Sequence, residues 1–242
     1  MRRLIVLFGA VVIGMLGATA TSALASTTPV RCTGTRTDYV INRDVVVPPG
    51  KPCTLYNSVV NGNVSVQTGS YFQATNTSIS GAVVGAQSQT VFIDSGSSVG
   101  ARLSTDRTAQ VFVYNATVNG SIGVTRSTAT VQVCGTTVKG SAFSVAQSRR
   151  DILIGDPLTT GCSGNQVPNG SVALVQNSTD LEFVVRGNSI STGNLVVQNN
   201  VGTSNKSVQN NIGGNSLKCV GNASPFVGGP NGSWLSKQGQ CY

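Results

Sequence analysis

The chain has 242 residues and a net charge of +8, contains no histidine, and holds charged residues to 10% and aromatics to 5%. The missing histidine removes imidazole general bases, histidine metal sites and histidine-dependent triads. The cations are sparse, with no run beyond Arg149-Arg150, so no nucleic-acid footprint is expected, only a diffuse attraction to anionic surfaces such as acidic cell-wall polymers.

The chain opens with Arg2 and Arg3, an apolar run from Leu4 to about Leu16 and the motif Ala23-Leu24-Ala25. That is the pattern of a secretory signal peptide over residues 1–25, cleaved before Ser26. The run is too short for a comfortable transmembrane helix, and the expectation is a secreted, extracellular chain without a membrane anchor. Residues 26–242 are read as a single domain. Gly, Ser, Thr, Asn and Val dominate this text, and β-branched residues alternating with turn formers disfavour helix over nearly its whole length.

Six cysteines lie in this part, at 32, 53, 134, 162, 219 and 241. An even number in a secreted chain predicts three disulfides, for which fifteen connectivities exist. The similar spacings of Cys32 with Cys53 and of Cys219 with Cys241 suggest that each pair staples one terminus, which leaves Cys134 with Cys162. No metal-type cysteine spacing occurs, and no metal site is expected from them.

From about residue 57 the text repeats. The stretches beginning at Tyr71, Val91, Val111, Val131 and Ile152 recur every 20 or 21 residues, and an apolar anchor precedes a Gly-bearing turn at Val60, Ile79, Val99, Val118 and Val138. A third short strand follows each turn. Three strands per period of this length predict a rung of a parallel β-helix, whose apolar side is buried only by stacking on its neighbours. The expected solenoid has about eight rungs over residues 57–218. An insertion holding Cys162 falls at "GDPLTTGCSGNQVPNG", and later turns are expected at Ile190 and Ile212. Pro- and Gly-rich caps are expected over about 26–56 and 219–242, with Trp234 covering the last rung.

The layout of Cys32 and Cys53 around "VVVPPGKPC", followed by "VVNGNVSVQTGS" and closing with "NNIGGNSLKCVGN" and "KQGQC", resembles a group of secreted actinobacterial β-helix repeat proteins. The resemblance covers nearly all of residues 26–242, least well over 149–168. It implies a right-handed, pectate-lyase-like parallel β-helix outside the cell and brings no catalytic residues to carry over. Enzymes, phage spikes, adhesins and ice-binding proteins share this architecture.

Two sets of residues are candidates for function. Aligning Tyr71, Val91, Val111, Val131 and Ile152 as an inward column places Phe72, Phe92 and Phe112 in an outward ladder, with Tyr114 nearby. Such a stripe suits sugar rings, a cell-wall polymer or a partner protein, unless the 156–168 loop or another subunit covers it. The second set is the charged cluster of Asp151, Asp180, Glu182 and Arg150, with Asp151 expected beside Asp180. Clustered carboxylates with a basic residue are what a calcium-dependent polysaccharide lyase would need; a solvated face of ion pairs is the plainer reading. Asp106 is expected to pair with Arg126 on the next rung. The leading expectation is a non-enzymatic protein with a structural or binding role at the cell surface or matrix, recognising carbohydrate or cell wall, with no cofactor. The alternative is the lyase, with calcium.

One column bears on the corners. Asn57, Asn76, Gly96, Asn115 and Gly135 stand three residues before successive anchors, and a position filled only by Asn or Gly predicts a backbone with positive φ. Asn115 also opens the glycosylation sequon Asn115-Ala116-Thr117, but it reads as a corner residue rather than a glycan site.

Overall fold

The computed structural model describes residues 28–155 and 161–241, so the predicted signal segment and the middle of the insertion lie outside the described residues. The described chain contains no helix. Thirty short strands stack into three sheets of 11, 10 and 9 strands, all pairings between neighbours being parallel. A typical turn runs Val83–Ala86 on the first face, Thr90–Ile93 on the second and Ser98–Val99 on the third, before Leu103–Asp106 returns to the first. This is a parallel β-solenoid of about ten turns.

The count exceeds the expected eight because both ends are built from the same units as the middle. Val30–Arg31, Gly34–Thr37 and Val40–Ile41 already pair with the next turn, so the segment read as an N-terminal cap forms the first two turns. At the other end Phe226–Gly228 and Ser236–Gly239 add strands to the second and first faces. The disulfides join Cys32 to Cys53, Cys134 to Cys162 and Cys219 to Cys241.

Strand alternation sends every second residue inward. The anchors Val60, Ile79, Val99, Val118 and Val138 are all buried and form one wall of a continuous core. On the second face the inward residues are Cys53, Phe72, Val91, Val111, Val131 and Ile152, in register across neighbouring strands. This corrects the expected ladder: Tyr71 pairs with Thr90, and Phe72 pairs with Val91 and is fully buried. A one-residue slip reverses every side chain, and in "YFQAT" the alternative would bury Tyr71 and Gln73 instead of Phe72 and Ala74. Burying an amide without partners costs more than burying a phenyl ring and a methyl group.

A similar slip occurs late in the chain. Ile190 pairs with Gly213, which leaves the expected anchor Ile212 about half exposed. The indole of Trp234 fills the space that a side chain on Gly213 would take and packs on the core. Trp234 therefore closes the last turn by replacing its missing inward side chain.

The corners are held by polar ladders. At the corner from second to third face, Asn57 (φ 47°), Asn76 (47°), Gly96 (73°), Asn115 (46°) and Gly135 (61°) all adopt the left-handed conformation, as the Asn/Gly column predicts. Where the residue that follows carries a hydroxyl it can turn inward to bond: Thr77 Oγ1 donates to the Leu55 carbonyl at 3.2 Å, and Thr136 Oγ1 to the Val113 carbonyl at 3.2 Å. From Asn165 onward asparagine takes over, and Asn165, Asn188, Asn211 and Asn231 form a buried chain with amide-to-amide distances of 2.9, 2.9 and 3.1 Å. A parallel ladder of Asn177, Asn200 and Asn222 lines the corner from first to second face and ends on Gln240. Asparagine suits this position because one planar group both accepts from the turn before and donates onward, leaving few buried polar atoms unpaired.

Candidate functional site

The insertion, the second face and one disulfide meet at a single place. Outward on the second face, Phe92 and Phe112 are directly in register, with Gln73 before them and Gln132 after. Their rings make an edge contact with centroids 5.7 Å apart, and Tyr114 joins them at 5.3 Å from Phe92 and 5.9 Å from Phe112. Edge-to-face geometry at this spacing is favourable in itself. Phe72 belongs to the core behind this cluster and not to it; the side chain outward on that strand is Gln73, whose Oε1 accepts the Tyr71 phenol at 2.6 Å.

Two recesses flank the rings. One of about 360 Å³ is lined by Tyr71, Thr90, Phe92, Gln110, Phe112 and Tyr114. The second, of about 490 Å³, runs from Asp94, Ser95 and Tyr114 past Gln132 and Leu153 to Glu182, with Gly161 and Cys162 of the insertion on its wall. Cys134 follows Tyr114 by one position in the stack, so the Cys134–Cys162 bond brings the insertion against the aromatic cluster. No described residue of the insertion lines the smaller recess. Tyr114 is common to both and spans from one to the other.

The polar groups here are fixed in defined states. The Tyr114 phenol donates to Gln132 Oε1 at 2.7 Å; burial, with the nearby Asp94 charge, pushes its pKa to about 12. Burial likewise raises Tyr71, helped by Tyr56 and Asp94. Both phenols therefore stay protonated and act as donors at neutral pH. Asp94 accepts the Ser95 amide at 2.7 Å and the Thr75 hydroxyl at 3.4 Å.

The acidic candidates are arranged differently from expectation. Ile152 pairs with Phe183, which sets Asp151 beside Glu182 instead of Asp180. Asp180 is exposed beyond the corner, where Arg149 bridges to Ser178, and Arg150 is an exposed corner residue with φ 66°. Asp151 accepts the Thr130 hydroxyl at 3.2 Å. Among the described residues no group of three or more His, Cys, Asp and Glu is placed to hold a metal ion. The expected rung-to-rung ion pair is present: Arg126 reaches Asp106 at 2.7 Å, and Arg107 reaches it at 3.2 Å.

Sequence reasoning missed Tyr71 and the part played by Asp94. Their signal was the strand register, which sets them around the rings; a period alone does not fix it. No protein-family model, no curated protein and no solved structure matches the chain.

Proposed function

We propose that this is a secreted, non-enzymatic β-solenoid that binds a polysaccharide or cell-wall polymer along its second face, with Phe92, Phe112 and Tyr114 as the contact. The observation that carries this reading is the three-ring cluster itself, outward on a parallel sheet and bordered by the amides of Gln73, Gln110 and Gln132. Sugar rings present an apolar face and an equatorial rim of hydroxyls; aromatic faces and side-chain amides complement the two. Clustered apolar surface on a secreted protein marks a contact site. The outward second-face groups with displaced pKa values, Tyr71 and Tyr114, are both raised, away from the range a general acid or base needs near neutrality, and Lys206, the second-face group lowered by burial, faces the core. Three disulfides agree with an oxidising compartment.

The test is binding of the purified protein to insoluble cell-wall fractions and a polysaccharide panel. Phe92→Ser and Phe112→Ser should each cost roughly 2 kcal/mol of affinity, the loss typical of a central contact residue, while the β circular-dichroism spectrum stays unchanged. Undiminished retention of both variants would overturn the assignment. Calcium-dependent release of unsaturated oligosaccharides, lost in Asp180→Asn, would replace it with the lyase reading.

A further inference from the structure

The charge of the cleft is opposite to that of the chain. The protein as a whole is basic, at +8, yet neither recess is lined by a lysine or arginine, and the larger one carries Asp94 at one end and Glu182 at the other. Neither carboxylate is ion-paired with a described residue, whereas Asp106 on another corner is held by two arginines. Charges beyond about 8–10 Å are largely screened at physiological salt. Among the residues that line the cleft, the charges a ligand meets in contact are those of Asp94 and Glu182. Between them lie the Tyr114 ring and the Gln132 amide, the elements of a sugar platform.

We propose that the polymer recognised here is an aminosugar chain with free, protonated amines, seated with a ring on Phe112 and Tyr114 and its ammonium groups at Asp94 and Glu182. This rests on the carbohydrate-binding reading and reverses the preference for anionic polymers that the net charge alone would suggest. The two carboxylates stand four strand steps apart on the second face and four residues apart along the strand direction, about 23 Å in all at the usual strand spacing and rise. A single sugar cannot span that distance, so a polymer is required to engage both.

The experiment compares two oligomers of β-linked glucosamine, one fully N-acetylated and one fully de-N-acetylated, by calorimetry against the purified protein in mildly acidic buffer where the amines are charged. The expected result is about tenfold tighter binding of the amine form, equivalent to about 1.4 kcal/mol. That preference should shrink with added salt and vanish in Asp94→Asn/Glu182→Gln, which keep an acceptor oxygen at each position and remove the charge. Equal affinity for both oligomers, still lost in Phe112→Ser, would overturn the charge inference and leave sugar binding standing. Failure of both oligomers to bind would remove this inference together with the reading beneath it. A lysine oligomer that bound as tightly and was indifferent to Phe112→Ser would also overturn it, since the cleft would then read charge without a sugar ring.

Discussion

Asn188 is the place where one atom pair can be made to report on the whole corner. Its Nδ2 donates to the Ile154 carbonyl at 3.0 Å and to Asn211 Oδ1 at 2.9 Å, and its Oδ1 accepts the Asn165 amide at 3.2 Å and Asn165 Nδ2 at 2.9 Å. All three asparagines are buried. Asn188→Ala removes four hydrogen bonds and leaves the buried Asn165 backbone amide without its acceptor. A typical net hydrogen bond contributes about 1 kcal/mol, and a buried unsatisfied group costs about 1–3 kcal/mol, so the loss should be roughly 3–5 kcal/mol. That is a large share of the 5–15 kcal/mol that holds a typical domain. Chemical denaturation followed by circular dichroism measures it, with Asn61→Ala as the control. Asn61 also donates to an asparagine one turn away, Asn42, at 2.7 Å, but in solvent, and its removal should cost under about 0.5 kcal/mol. If the two variants unfolded at the same denaturant concentration, the ladder would be an ornament and the argument from buried amides would be wrong.

Three further outcomes follow from other positions. At Asn115, with φ 46°, substitution by glycine should be mild and substitution by valine should cost about 1–2 kcal/mol, the left-handed penalty for a residue with a bulky Cβ; equal melting temperatures would refute the corner reading. Asp106 is slightly desolvated, which would raise its pKa, but hydrogen bonds and charge from Arg126 and Arg107 outweigh this and hold it below the usual value. Its contribution is therefore present above the unfolded pKa of about 3.9 and lost as pH falls through the lower native value. Wild type and Asp106→Asn should differ slightly at neutral pH and low salt and converge in acid, and a gap that persisted in acid would contradict the pairing. Lys206 lies fully buried in the inward column between Phe183 and Phe226, its amine donating to the Gly202 and Ser204 carbonyls, and burial lowers its pKa. The unfolded chain then holds the proton more readily, so stability should rise with pH between the lowered native value and about 10.4; Lys206→Met should flatten that rise, and parallel pH curves would refute it.

How far the sequence led depended on which constraint each feature obeyed. The period was readable because the third-face anchors, Val60 to Val138, face a core that accepts only apolar side chains, and the Asn/Gly corner was readable because few residues tolerate positive φ. The opposite corner hid itself: Gln87, Arg107, Arg126, Gln147 and Gln176 are also left-handed, at φ 52–58°, and nothing in a glutamine or arginine announces it. There the conformation is imposed by the Ser, Thr and Asn ladder behind, as in the Ser88–Thr108 contact of 2.8 Å, a case of surroundings overruling local preference. Register was the other blind spot. Placing Phe72 outward and Ile212 inward each came from following a spacing across a turn that is one residue out of phase, and each error moved an entire strand's side chains to the wrong face. Of the residues proposed for binding, Phe92, Phe112 and Tyr114 could be picked out, but Asp94 and Glu182 could not be assigned to one cleft, because they stand four turns apart and the insertion that joins its wall is tied there by the Cys134–Cys162 bond.

The two polar corners and the aromatic cluster are connected through rigidity. A solenoid turn touches only its neighbours, so the position of Phe92 relative to Phe112 depends on how firmly each strand is pinned at its two ends. On one side Ser88 bonds Thr108 at 2.8 Å; on the other, Ser97 and Thr136 fasten to the Ala74 and Val113 carbonyls, at 3.1 and 3.2 Å. Ala116 breaks the hydroxyl column in the second of these corners, and it does so on the turn that carries Phe112 and Tyr114. That turn is held instead by the left-handed Asn115 and by the disulfide one turn above, at Cys134. A site pinned on both edges loses little side-chain freedom when a ligand arrives, which is where preformed surfaces gain affinity without added area. The disulfide therefore has two consequences that follow from one bond: it brings Cys162 to the wall of the acidic cleft, and it steadies the corner where the ladder lacks a hydroxyl.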